Sequence, residues 1–154
     1  MRLINVQTLA LEEFYGRVPP YAILSQTWGQ QEVSFDDFAT PRATSMIGYE
    51  KVRMCCETAK LFKLDYVWID TCCIDKRSSA DLSEAINSMY AWYCDSVVCL
   101  AYLSDVPTDD DPHSPRSAFA KSKWFTRGWT LQELLAPTRV NFYGQQWGKI
   151  LGTK

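Results

Sequence analysis

The fold is decided at Tyr21-Ala-Ile-Leu-Ser25, a short apolar run that starts behind the Pro19-Pro20 break and leaves through Gln26-Thr27-Trp28-Gly29. An unbroken apolar run of this length, bounded by chain breakers, reads as a strand buried on both faces, the type found in parallel sheets. Three more runs share this character: Tyr66 to Ile69 (YVWI), closed by Asp70; Ser96 to Leu103 (SVVCLAYL); and Val140 to Tyr143. Helical periods separate them. Tyr49 to Leu64 carries apolar residues at 49, 52, 55, 56, 59 and 62, and a second helix capped by Ser78 or Ser79 carries them at 82, 85, 86, 89 and 93. Asp81 and Glu84 suit the positive end of that second helix. Strands alternating with helices predict an α/β domain, a parallel sheet flanked by helices.

In such sheets ligands sit beyond the carboxyl ends of the strands. The exits here, Ser25 to Trp28, Asp70 to Cys73 and Ser104-Asp105, all carry polar groups, so a cleft is expected at that edge. The remaining segments are less structured in expectation. Leu3 to Leu11 reads as a strand or an irregular lead-in, Val33 to Phe38 as a short strand or turn, and Thr40 to Ser45 as loop. Ser104 to Ser117 is acidic, holds Pro107, Pro112 and Pro115, and reads as a surface loop. The whole of 1–154 reads as one domain, with 144–154 an exit segment toward a downstream region.

Trp124 to Pro137, WFTRGWTLQELLAP, reads as a loop running into an amphipathic helix that stops before the proline. Leu131, Leu134 and Leu135 are spaced to face a core. Trp129 and Glu133 are four apart and share another face. An aromatic plate one turn from a carboxylate can hold a flat or sugar-like ligand while the carboxylate acts on it. The plainer reading makes Glu133 a solvated helix glutamate and Trp129 a packing residue.

Composition narrows the classes. With 154 residues, 47% apolar and 22% charged, the chain is long and apolar enough for a globular core. A net charge of -2 with scattered Lys and Arg gives no pull toward nucleic acid or anionic membrane. The first residues, MRLINVQTLALEEF, lack the apolar core and cleavage site of a signal peptide, and no apolar run reaches membrane-spanning length, so a cytosolic setting is expected. The cysteines at 55, 56, 72, 73, 94 and 99 form no CxxC, and His113 is the single histidine. Reduced, buried thiols are expected rather than a metal site or disulfide framework. Neither GxGxxG nor GxxxxGKS occurs, which argues against a Rossmann dinucleotide grip and a P-loop.

Three blocks, Tyr21-Ala-Ile-Leu-Ser-Gln-Thr-Trp-Gly29, Trp68-Ile-Asp-Thr-Cys-Cys-Ile-Asp-Lys76 and Arg127-Gly-Trp-Thr-Leu-Gln-Glu133, together resemble the HET domain, the heterokaryon-incompatibility module of filamentous fungi. The resemblance covers nearly the whole chain. It implies a cell-death effector of non-self recognition, often placed ahead of a nucleotide-binding and repeat receptor region. Gln26 stands where many members carry histidine, and Lys76 where glutamine is common. The Gln26 position is read as shaping its loop.

HET domains are in turn distantly similar to TIR domains, which have a flavodoxin-like fold. Catalytic TIR domains carry a W-C-x-x-E-L pattern, and Trp129-Thr-Leu-Gln-Glu133-Leu134 matches it except at Thr130. The similarity implies that Glu133 serves cleavage of the nicotinamide–ribose bond of NAD as substrate, with no resident cofactor, and that Ser25–Trp28 and Asp70–Asp75 help form the pocket.

Such cleavage passes through an oxocarbenium-like ribose that a carboxylate can stabilise, and nicotinamide leaves as a neutral ring without need of a general acid. Glu133 and Trp129 form the centre of this reading, with Trp28 a second wall. Asp70 contacts ribose hydroxyls or caps the loop after its strand. Arg127 pairs with a phosphate or makes a salt bridge to Glu133 or Asp70. Trp68 reads as core. Cys72 and Cys73 lack an activating base, since His113 lies in the acidic proline-rich loop. The alternative is a non-enzymatic signalling module acting by homotypic oligomerisation, with Trp129 and Glu133 in an interface. The two can coexist if assembly completes the site.

Overall fold

The computed structural model describes residues 1–153. Strands β1 (Arg2–Asn5), β2 (Leu11–Glu13), β3 (Tyr21–Gln26), β4 (Tyr66–Trp68), β5 (Val98–Tyr102), β6 (Val140–Tyr143) and β7 (Lys149–Thr153) form one sheet in the order β2-β1-β4-β3-β5-β6-β7. The apolar runs are its centre. β4, β3, β5 and β6 are mutually parallel, and every residue of β3 and β6 is buried. In chain order these four run 2-1-3-4, the order in which flavodoxin-like sheets begin.

The sheet is mixed rather than wholly parallel. β1 runs antiparallel to β4, β2 antiparallel to β1, and β7 antiparallel to β6. A parallel neighbour needs a crossover of a dozen residues or more, whereas a short link permits only reversal. The link from β6 to β7 is a tight turn, with Gln146 and Trp147 both in the left-handed region (φ 57° and 59°) and the Trp147 ring stacked on Tyr102 at 4.8 Å. Lys149–Thr153 of the stretch expected as an exit segment thus pairs with the sheet, and residue 154 lies outside the described residues.

The helices are α1 (Phe35–Phe38), α2 (Tyr49–Leu61), α3 (Asp70–Cys73), α4 (Ser79–Asp95) and α5 (Thr130–Leu135). Val33 to Phe38, expected as strand or turn, contains α1, because Ser34 and Asp37 close a capping box. Pro41–Ser45 is a 3-10 turn. α2 buries Val52, Cys55, Cys56 and Ala59, as its period predicts. Its N-cap is Gly48, a position that requires glycine because a Cβ there would meet the Gln31 carbonyl at 2.7 Å and Glu32 Cα at 2.9 Å. Ser78 caps α4 by accepting from Asp81 N. Right-handed crossovers place α2 on one face of the sheet and α4 and α5 on the other, and α4 and α5 touch.

Of the six cysteines expected as buried thiols, Cys55, Cys56, Cys72, Cys73 and Cys99 are buried, while Cys94, near the end of α4, is exposed. Trp68 is core, against Trp92 and Tyr93. The acidic loop is tied down at Asp105, which accepts from Ser122 and Lys123, and at Asp110, which accepts from the Ala118 and Phe119 amides. No helix among the described residues is long and apolar enough to cross a membrane.

α5 corrects the sequence reading. Leu131 and Leu135 are 66% and 58% exposed and Leu134 is only partly buried, while Glu133 is 3% exposed. The stripe is inverted because α5 is a single short turn and a half, docked through its polar side chains. Thr130 donates to the Trp124 carbonyl, and Glu133 reaches into the sheet edge. A solvated Glu133 is therefore excluded.

Candidate functional site

β3 delivers Ser25 to the carboxyl edge in a fully buried strand, so its hydroxyl must be satisfied internally. Tyr21 and Ser25, four apart, face the α4–α5 side: Tyr21 donates to the Trp92 carbonyl in α4, and Ser25 Oγ donates to Glu133 Oε2 at 2.6 Å. Ser25 Oγ also accepts from Trp124 Nε1 at 2.7 Å. Arg127 donates to both carboxylate oxygens, Nη1 to Oε2 at 2.9 Å and Nη2 to Oε1 at 3.1 Å. Burial of a carboxylate is tolerable only with such pairing. Of the readings open for Arg127, the salt bridge to Glu133 is the one formed.

Glu133 and Arg127 edge a cleft of about 530 Å³ beyond β3 and β4, a size suited to a small-molecule site. Trp129 also lines it, one turn from Glu133 as the spacing predicts, with its carbonyl accepting from Glu133 N and its ring 48% exposed. The opposite wall is Trp28, 54% exposed, whose Nε1 donates to Asp70 Oδ2 at 2.8 Å. Asp70 Oδ1 takes a long 3.4 Å hydrogen bond from Gln26 Nε2. Asp70 thus holds two side chains of the β3 exit in place rather than capping the loop after its own strand. Gln26 lies buried beneath, and its Oε1 has no partner among the described residues. The predicted site residues Ser25, Trp28, Asp70, Arg127, Trp129 and Glu133 therefore converge at one edge, in two hydrogen-bonded sets.

Several contributors escaped the sequence reading. Leu82, Ile86, Met89 and Tyr93 of α4, read as a core stripe, form the apolar side of the cleft. Lys76 lines it with its ammonium 3.6 Å from the centre of the Trp28 ring. Trp124 is fully buried and locks Ser25 from 99 positions away, a relation no local spacing reveals.

Cys72 and Cys73 are buried thiols held protonated beside the cleft. Burial pushes the Cys72 thiol up to about 12, and its Sγ is turned to the Val33 carbonyl. His113 is exposed in its loop. Among the described residues no group of His, Cys, Asp and Glu is arranged to hold a metal ion. A second cleft of about 580 Å³ lies past Thr27, beside Tyr102, Trp147 and the Lys51–Glu32 ion pair. Thr27 of the Ser25–Trp28 segment lines it, whereas Ser25, Trp28, Asp70, Arg127, Trp129 and Glu133 do not.

The family model described as heterokaryon incompatibility protein (HET) matches residues 21–116, more than half of the chain. The chain belongs to the HET family. Vegetative incompatibility protein HET-E-1 of Podospora anserina is 52% identical over 141 residues, covering 88% of this chain and 10% of that protein. The HET chain therefore spans about a tenth of the length of this relative. No solved structure matches it. Ser25, Trp28, Asp70 and Lys76 fall inside the family-matched stretch, whereas Arg127 and Glu133 lie beyond it.

Proposed function

We propose that this chain is a cell-death effector domain of fungal non-self recognition, and that its cleft hydrolyses the nicotinamide–ribose bond of NAD. The observation that carries the reading is Glu133. It is a carboxylate almost removed from solvent, fixed by Arg127 and Ser25, at the rim of an aromatic-walled cleft on the carboxyl edge of the sheet. The parallel order 2-1-3-4 and the Trp129-to-Glu133 spacing support the similarity to catalytic TIR domains.

The C1′–N bond breaks with both electrons going to nicotinamide, which leaves neutral. Positive charge develops on the ribose, and the Glu133 carboxylate stabilises it or binds the ribose hydroxyls. Water then adds its oxygen to C1′ and releases a proton, giving ADP-ribose. Arg127 positions the carboxylate, and Trp129 and Trp28 flank the rings. The domain is the effector part of a larger cytosolic protein carrying a receptor region, in keeping with its one-tenth share of its relative.

A second reading, a signalling module that works by homotypic assembly, is favoured by one observation. Phe125, Trp129, Leu131 and Leu135 stand exposed around α5. The deciding experiment is nicotinamide release from NAD by the purified domain across protein concentration, beside Glu133→Gln. Release that vanishes in the variant supports the hydrolase, and a steeper than linear rise with protein adds assembly. Assembly without release at any concentration favours the scaffold.

A further inference from the structure

Four charged side chains line the cleft: Asp70, Lys76, Arg127 and Glu133. Arg127 and Glu133 neutralise each other through two hydrogen bonds. Asp70 is occupied by neutral donors, the Trp28 indole and the Gln26 amide. Lys76 is left over. It forms no salt bridge among the described residues, and its Nζ rests 3.6 Å from the centre of the Trp28 ring.

That ring is not free to swing, because Asp70 holds its Nε1. The ammonium is therefore carried on a fixed aromatic plate at the cleft wall. Lys76 as a whole is exposed, yet desolvation around it holds its ammonium below the usual lysine range, against the pull of Asp70. A cation that has lost part of its hydration without gaining a counter-ion favours an incoming anion.

We propose that Lys76, carried on Trp28, is the anion subsite of the cleft and binds the phosphate or diphosphate group of its ligand. The inference rests on the cleft being the ligand site described above, and it makes that ligand a phosphorylated nucleotide rather than a neutral nucleoside. Lys76 acts as a point charge, so the subsite recognises the anion without fixing its rotation, while the aromatic walls select flat rings.

The test is equilibrium binding of inorganic pyrophosphate, ADP-ribose and adenosine to the wild type, Lys76→Gln and Lys76→Arg, each first shown to unfold at the wild-type temperature. Loss of one charge-assisted contact predicts about tenfold weaker binding of pyrophosphate and ADP-ribose to Lys76→Gln. Adenosine binding stays unchanged, and Lys76→Arg keeps most of the affinity. Added salt weakens ADP-ribose binding to the wild type and much less to Lys76→Gln.

Equal affinity of wild type and Lys76→Gln for both anions overturns the subsite, as does failure of the wild type to bind either. The two proposals fail separately. Lys76-dependent pyrophosphate binding with NAD left uncleaved keeps the subsite and removes the hydrolase. NAD cleavage with an unchanged KM in Lys76→Gln does the reverse.

Discussion

Arg127 and Glu133 face each other as a planar fork on a carboxylate, with hydrogen bonds of 2.9 and 3.1 Å, at the rim of a cleft rather than inside the core. Breaking such a pair from one side leaves the other charge stranded. Glu133→Gln is expected to cost about 1–3 kcal/mol in urea unfolding and to abolish nicotinamide release. Pairing it with Arg127→Met removes the stranded guanidinium. The double variant recovers part of the stability and none of the activity. Activity surviving in Glu133→Gln would take this carboxylate out of the mechanism.

Ser25 of β3 ties itself to a segment about a hundred residues further along the chain. Its hydroxyl accepts from Trp124 and donates to Glu133, and both neighbours are buried. Ser25→Ala leaves a buried indole N–H without a partner, at about 1–3 kcal/mol. Chemical denaturation measures this directly. Ser25→Ala should also lower nicotinamide release more than it lowers stability at the assay temperature, because Glu133 loses one of its three anchoring donors.

The thiols divide by burial. Cys94 is exposed, and the other five are not. Burial raises Cys56 and Cys72 to about 12, so at pH 8 about one in ten thousand of either is thiolate. A thiol-disulfide reagent at pH 8 should label one cysteine in the native protein and six in urea.

The same two thiols, together with the buried Cys55 and Cys73, contribute to an alkaline limit. In the unfolded chain Cys56 and Cys72 lose their protons near the ordinary thiol value of about 9, while in the fold they keep them to about 12. Over that window the native state binds more protons, so stability falls as pH rises. The slope approaches about 1.4 kcal/mol per pH unit for each thiol. Below pH 9 their contribution is fully present. Unfolding free energies at pH 8, 9 and 10 give the sign and the slope, and Cys56→Ala with Cys72→Ala should reduce it, while the buried Cys55 and Cys73, also pushed up, keep the remainder.

Leu131 and Leu135 stand outside, so replacing both by glutamate should change monomer stability by less than about 0.5 kcal/mol. If the exposed α5 face mediates assembly, the variant's self-association, followed by light scattering against concentration, falls. A large loss of stability would mean that these leucines are packed in solution.

The sheet centre was legible because β3, β4, β5 and β6 are buried on both faces and read as unbroken apolar runs. The two long helices were legible by their period and by the Ser78 cap. The edge was not. The pairing of β7 depends on a turn at Gln146-Trp147 that uses left-handed backbone in residues not known for it. At α5 the leucine spacing misled, because one Glu with three donors outweighed two leucines as a docking group. Trp129 and Glu133 were legible as a pair, four apart on a helix. The partners that give Glu133 its orientation were not, since Ser25 sits 108 positions from it.

That separation fixes an order of events. β1 to β5 and the Trp28–Asp70 wall lie within the first 102 residues, whereas the carboxylate arrives only with α5 and is followed by β6 and β7. A nascent or truncated chain ending inside the acidic loop can collapse around β3, β4 and β5 and still possess no Arg127, no Glu133 and no relay through Trp124. Synthesis itself thus leaves the cleft without its buried carboxylate until α5 has been made, so the Glu133 relay is the last part of this edge to exist.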